Sequence, residues 1–260
     1  MAMTRSLEVK GQLVAGGKEP LICAPLVGRD EAAVLHELEV IVAKRPDLLE
    51  WRVDFYSGIS DVGRVVELTK EIRTRSAGIP VIFTRRSTRE GGEPIDLCED
   101  EVLSMYREVA RSGAVDFLDY ELSSEPEHFE QAVALARETG TKLIASFHDF
   151  EKTPPADAIV AKLVGMEKAG ADIAKIAVMP QGLEDVLTLL QATLEAQKTI
   201  SLPVISMSMG AYGSLSRLFG WVFGSSVSFA VGQQASAPGQ VPIEDLRTVL
   251  EVLQRSLKGG

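Results

Sequence analysis

The chain of 260 residues is poor in cysteine, histidine, aromatic residues and base, and each shortage excludes something. Only Cys23 and Cys98 occur, far apart and without CxxC spacing, so neither a disulfide framework nor a zinc knuckle is expected. His36, His128 and His148 do not cluster, and no metal is expected. Lysine and arginine total 27 against 37 acids, a formal charge of -10, and no local basic run offsets it; nucleic acid is not an expected partner. The longest apolar stretch, residues 218–232, is too short and too serine-rich to cross a bilayer, so no membrane partner is expected. The chain starts Met-Ala-Met-Thr-Arg-Ser and continues polar instead of into an apolar signal core, which gives the expectation of a reduced, cytoplasmic protein.

What is present is alternation. Short apolar or β-branched runs at 21–26, 48–54, 80–85, 117–122, 142–148, 172–178, 203–209 and 227–231 read as strands. Amphipathic stretches at 31–44, 62–75, 100–112, 127–139, 156–169, 183–197 and 241–257 read as helices. Gly113, Gly140 and Gly170 follow three of these, as C-caps do. Strand-then-helix units in this number and length predict an α/β fold, a single (β/α)8 TIM barrel over residues 1–260. A doubly wound sheet is the rival, but neither GxGxxG nor GxxxxGK[ST] occurs. Residues 6–20, with Gly16-Gly17 between polar strands, read as an N-terminal β-hairpin before the first barrel strand.

Strands of a parallel barrel are buried on both faces and should be apolar. Here Glu50, Arg52 and Asp54 alternate with Leu49, Trp51 and Val53; Thr84 and Arg86 share a face, as do Asp119 with Glu121 and Ser146 with His148. Each buried charge costs several kcal/mol unless paired. Any one of these residues could belong to a structural ion pair, but charges on five strands imply a shared polar cavity, and many lie near the strand ends where barrel enzymes work. Lys175 sits inside a strand among small apolar neighbours. Desolvation and nearby arginines disfavour the ammonium form, and a neutral amine can add to a ketone to form an imine. The competing reading is a lysine paired to Glu50 or Glu121 for stability alone. His148 is the histidine on a strand end and suits general acid/base work; His36 and His128 fall on helical stretches.

Several segments together resemble a known family. They are Glu50-Trp51-Arg52-Val53-Asp54, Phe83-Thr84-Arg85-Arg86-Ser87 with Glu90-Gly91-Gly92-Glu93, Ser146-Phe147-His148-Asp149-Phe150 and Lys175. Met207-Ser208-Met209, Ser216-Arg217-Leu218 and Ala235-Ser236-Ala237-Pro238-Gly239-Gln240 continue the series. In this order the chain is similar, over nearly its whole length, to the type I 3-dehydroquinate dehydratases of the shikimate pathway. The resemblance implies a hydro-lyase without metal or cofactor that converts 3-dehydroquinate to 3-dehydroshikimate by syn elimination of water, in aromatic amino acid biosynthesis. It implies Lys175 as the imine-forming lysine, His148 as general acid/base and Glu90 as the carboxylate orienting it. Arg217 would hold the substrate carboxylate under a lid carrying Ser236 and Gln240. Glu50, Arg52 and Arg86 would hold ring hydroxyls, with Met207, Met209 and Phe229 around the ring. A homodimer is also implied. Two positions depart from the family's pattern: Arg85, a second arginine beside Arg86, and Ala24-Pro25, where some relatives offer a hydroxyl. A class I aldolase, using residues 209–214 as a phosphate loop, and a non-catalytic binding barrel are the alternatives.

Overall fold

The computed structural model describes residues 6–9, 11–16 and 20–258. A two-stranded antiparallel hairpin, β1 (Leu7–Val9) and β2 (Gln12–Ala15), comes first. The barrel strands are β3 (Leu21–Leu26), β4 (Leu48–Arg52), β5 (Val81–Thr84), β6 (Phe117–Glu121), β7 (Lys142–Asp149), β8 (Ile173–Val178), β9 (Val204–Ser208) and β10 (Val227–Phe229). The helices are α1 (Glu31–Ala43), α2 (Val62–Arg75), α3 (Glu99–Arg111), α4 (Pro126–Thr139), α5 (Ala156–Lys168), α6 (Leu183–Thr199), α7 (Gly210–Phe219) and α8 (Ile243–Lys258). All eight barrel strands pair in parallel in the order β10-β3-β4-β5-β6-β7-β8-β9. The remaining seam closes where the Ser226 N–H donates to the Val204 carbonyl at 2.7 Å. This is the (β/α)8 barrel that the alternation predicts.

Two apolar layers follow from the strand period. Outward residues such as Leu49, Trp51, Phe83, Leu118, Ala145 and Ile176 pack under the helices. Within that layer Trp51, Phe83, Tyr106, Tyr120 and Phe129 meet in succession with centroids 5.0–6.1 Å apart. Inward residues near the strand starts, Cys23, Leu48, Ile82, Phe117, Ile144, Ile173, Ile205 and Val227, fill the barrel floor, and Leu7 and Ala15 of the hairpin cluster with them. Two residues further along, the inward side chain turns polar on five of these strands: on four of them Leu48 is followed by Glu50, Ile82 by Thr84, Phe117 by Asp119 and Ile144 by Ser146. Ile173 is followed in the same way by Lys175. The barrel interior therefore changes from oil to charge along its axis, toward the carboxyl ends of the strands.

Local differences from the sequence reading have simple causes. The hairpin turns at Gly11, whose φ is +76°, between the paired Val9 and Gln12, so that Gly16 follows its second strand; of the expected hairpin, residues 10 and 17–19 lie outside the described residues. Asp54 falls on a 3-10 turn (Val53–Phe55) that ends β4 early. Residues 209–214 are not a loop: they open α7, whose two glycines and two serines hide its period. Gly113, Gly140 and Gly170 take the positive φ expected of helix ends. Among the described residues no helix is long and apolar enough to cross a membrane.

Candidate active site

At the carboxyl ends of the strands lies a cavity of about 430 Å³, mouth included, within the usual range for a small-molecule site. Its wall contains Lys175, His148, Glu90, Glu50, Arg52, Arg86, Arg217, Ser236, Gln240, Met207, Met209 and Phe229. All twelve residues to which the resemblance gives a role thus line one space, whereas Asp54, Thr84, Asp119, Glu121 and Ser146 are not on its wall. Gly91, Phe150, Ala177 and Ala237 also line it and were not foreseen as site residues.

Lys175 Nζ lies 2.8 Å from Asp119 Oδ2 and 3.2 Å from Glu50 Oε1, and 4.4 Å from the Phe229 ring centroid. Its immediate charged neighbours are carboxylates, not the arginines expected from the sequence; Arg86 reaches it only through Asp119, donating to Oδ1 at 2.6 Å. Ser146 Oγ also donates to Asp119 Oδ1, at 2.6 Å. Burial works against the charge of Asp119, but Arg86 and Lys175 outweigh it and hold the carboxyl well below its usual range. Arg86 further donates to Glu121 Oε1 at 3.1 Å and to Ser146 Oγ at 2.8 Å. This buried lattice is what the alternating charges of β4 to β8 build.

His148 Nδ1 lies 2.8 Å from Glu90 Oε2, which also accepts the His148 backbone N–H at 3.0 Å. Burial, then Arg86 and Lys175, push the imidazole well below 6.5, so it is neutral at neutral pH. Against an ionised Glu90 the Nδ1–H donates, leaving Nε2 as the basic nitrogen. Burial and the nearby Glu121 push Glu90 up to about 7, against the pull of Arg86. Ser123 Oγ holds the other Glu90 oxygen, a contact that two serines after a strand gave no means to foresee. The Gly91-Gly92 pair lets the chain fold back here. A Cβ on Gly92 would stand 2.0 Å from the Arg86 carbonyl oxygen, and one on Gly91 2.3 Å from the Phe150 ring.

Arg217 projects inward from α7, which is tied to β9 by the Ser208 N–H donating to Ser216 Oγ at 2.8 Å. Its guanidinium touches the Phe229 carbonyl at 3.2 Å, the Pro238 carbonyl at 3.4 Å and Met207 Sδ at 3.3 Å. Nε has no partner, and no carboxylate pairs with this group among the described residues. Burial alone pushes it down to about 10. The Pro238 carbonyl also accepts the Gly210 N–H at 3.2 Å, which seats the loop over the cavity. Ser236 N–H donates to Gln240 Oε1 at 2.9 Å and Gln240 Nε2 to Ser236 Oγ at 3.1 Å, bracing that loop internally.

Arg52 forks onto Asp54 with two contacts of 2.8 Å and lies over the Phe55 ring. Arg85 does not compete with Arg86. It turns outward to Glu99 at the start of α3, which also accepts Tyr120 Oη at 2.5 Å, and it is absent from the cavity wall. Pro25 stands beside Glu50 in register and brings no hydroxyl. His36 is exposed on α1; His128 lies on α4, 3.4 Å from Asp100. Among the described residues no three His, Cys, Asp or Glu side chains are placed to hold a metal ion.

Fold and site together define a (β/α)8-barrel enzyme with an amine, a histidine–carboxylate pair and an unpaired guanidinium around one cavity. The family model for type I 3-dehydroquinase matches residues 22–256. The chain is 93% identical over 259 residues to the 3-dehydroquinate dehydratase of Aromatoleum aromaticum, covering 100% of both, and 50% identical to that of Albidiferax ferrireducens, covering 100% of this chain and 98% of the other. The crystal structure of 3-dehydroquinate dehydratase from Geobacillus kaustophilus superimposes with a TM-score of 0.95 at 47% identity, covering 98% of this chain and 99% of that one. The chain belongs to the type I 3-dehydroquinase family, and it is a hydro-lyase.

Proposed function

We propose that this enzyme dehydrates 3-dehydroquinate to 3-dehydroshikimate through a Schiff base on Lys175, with His148 as general acid/base. The observation that carries the reading is Arg217: a buried guanidinium with no acidic partner among the described residues faces the same cavity as the Lys175 amine and the His148–Glu90 pair. Only an anion arriving from outside completes it, and its planar fork suits a carboxylate. A substrate carrying a carboxylate at one end and a ketone at the other spans Arg217 and Lys175.

The proton lost next to a neutral ketone is weakly acidic. Converting the ketone to an iminium on Lys175 supplies an electron sink, so an enamine forms instead, and no cofactor is needed for that task. Glu50 Oε1, 3.2 Å from Nζ, is placed to take the proton that the amine sheds before attack. Neutral His148 takes the carbon-bound proton at Nε2 and returns one to the departing hydroxyl. One group working from one side of the ring makes the elimination syn, and such a group contributes about 10²–10⁴-fold. Glu90 fixes its ring orientation. Glu50, Arg52 and Arg86 face the ring hydroxyls, Met207, Met209 and Phe229 its apolar surface, and Ser236 and Gln240 bring the loop down over it to exclude water.

The same proposal includes a cytoplasmic homodimer. Leu183, Leu187 and Leu194 on α6 and Tyr212, Leu215 and Phe219 on α7 are exposed apolar side chains of the kind a second copy covers; sedimentation at equilibrium tests it. The test of function is the rise in ultraviolet absorbance as 3-dehydroquinate becomes the conjugated enone. Lys175→Ala abolishes the rise while calorimetry still shows binding, because binding rests mainly on the arginines. Binding without turnover in the unaltered enzyme would support a non-catalytic barrel; inert 3-dehydroquinate with strong inhibition by inorganic phosphate would support the aldolase reading.

A further inference from the structure

Two carboxylates touch Lys175 Nζ, and the structure treats them differently. Glu50 is on the cavity wall, 3.2 Å from Nζ, and shares its Oε1 with the Thr84 hydroxyl at 3.0 Å. Asp119 is fully buried behind the lysine and off the cavity wall, with Oδ2 2.8 Å from Nζ. Its other oxygen is clamped by Arg86 and Ser146 at 2.6 Å each. Substrate entering from the mouth meets Glu50, whereas nothing in the cavity competes for Asp119.

When the amine, its extra proton passed to Glu50, adds to a ketone, a bond forms between Nζ and the carbonyl carbon; the oxygen leaves as water carrying one proton from nitrogen and the one Glu50 gives back, and nitrogen keeps one hydrogen and a positive charge. That charge must persist until carbon has lost its proton, because a neutral imine is a poor electron sink. We propose that Asp119 is the fixed counter-ion of the Schiff base, holding the Lys175 nitrogen protonated from iminium formation until hydrolysis. The proposal rests on the Schiff-base reading of Lys175. Other charged or titratable groups facing this pair are Cys23 from β3, Glu50 and Arg52 from β4, Arg86 and Glu90 from β5 and the turn after it, Glu121 from β6 and His148 from β7. Of these only Glu50 lies within hydrogen-bond distance of Nζ, and its place on the cavity wall exposes it to substrate.

The test begins with the unaltered enzyme labelled with ¹⁵N at the lysine side chains and equilibrated with 3-dehydroquinate. The Schiff-base nitrogen should keep its iminium resonance from mildly acidic to alkaline pH. Asp119→Asn should shift its loss to lower pH, so that kcat falls about tenfold for each pH unit beyond the new pKa. KM should stay within a few-fold, and Asp119→Glu should restore the alkaline limb. A nitrogen in the unaltered enzyme that deprotonates at the same pH as a simple ketimine in water would overturn the proposal, even if the Asn variant does not fold. So would an Asn variant with an unshifted alkaline limb. Absence of any borohydride-stable adduct in the unaltered enzyme would instead overturn the Schiff-base reading itself.

Discussion

Arg217 should make the enzyme less stable and more active at once, and replacing it with methionine separates the two effects. Burial lowers the guanidinium from 12.5 to about 10. At about 1.4 kcal/mol per pH unit, holding that charge in the empty site costs about 3 kcal/mol. Hydrogen bonds to the Phe229 and Pro238 carbonyls recover part of this, at about 1 kcal/mol each. Arg217→Met, packing against Met207, should therefore stabilise the ligand-free enzyme by about 1–2 kcal/mol, raising Tm by about 2–8 °C. The same change leaves the substrate carboxylate without its partner in a desolvated site. A loss of about 3–4 kcal/mol, within the usual range for stripping one partner from a buried charge pair, lowers kcat/KM by roughly 10²–10³-fold. Calorimetric melts with and without substrate, beside steady-state kinetics, read both effects. A variant that melts lower than the parent and keeps kcat/KM within about tenfold would refute the reasoning, since Arg217 would then be a structural residue.

Other groups make different predictions. His148→Ala should lower kcat by about 10²–10⁴-fold yet still allow an imine to form, which borohydride reduction would reveal by mass. Glu90 titrates at about 7 folded against 4.5 in an open chain, so the folded state binds the extra proton and stability falls as pH rises from about 4.5 to about 7. The fall approaches about 3 kcal/mol, and Glu90→Gln should flatten it in urea melts across that window; an unchanged slope contradicts the assignment. Gly239 has φ +80°, and a Cβ there would lie 2.1 Å from the Gly210 carbonyl oxygen. Gly239→Ala should cost the seated loop about 1–3 kcal/mol, lowering kcat/KM about tenfold or more while the melting temperature barely moves.

Much of this was legible in the sequence because a barrel writes two periods into one chain. The strand period of two separates Glu50, Arg52, Thr84, Arg86, Asp119, Ser146 and His148 from their apolar neighbours, and the helical period spaces the strands apart. Helix α7 was not legible, because glycine and serine on a short helix erase the apolar stripe. Nor were the partners of Lys175. Period shows which residues share a face, but the depth at which Asp119 meets the amine depends on strand stagger, which emerges only when the sheet closes. The outward turn of Arg85 followed the same phase rule that sends Arg86 inward, whereas its partner Glu99 is set by how α3 docks.

The central claim is that Lys175 bonds covalently to the substrate ketone. Borohydride added during turnover of 3-dehydroquinate, followed by intact mass and peptide mapping, tests it most directly. The account predicts a substrate-derived adduct on the peptide carrying Lys175 and loss of activity in proportion to it. A folded enzyme that turns substrate over without forming any adduct, or that carries it on another residue, would contradict the account.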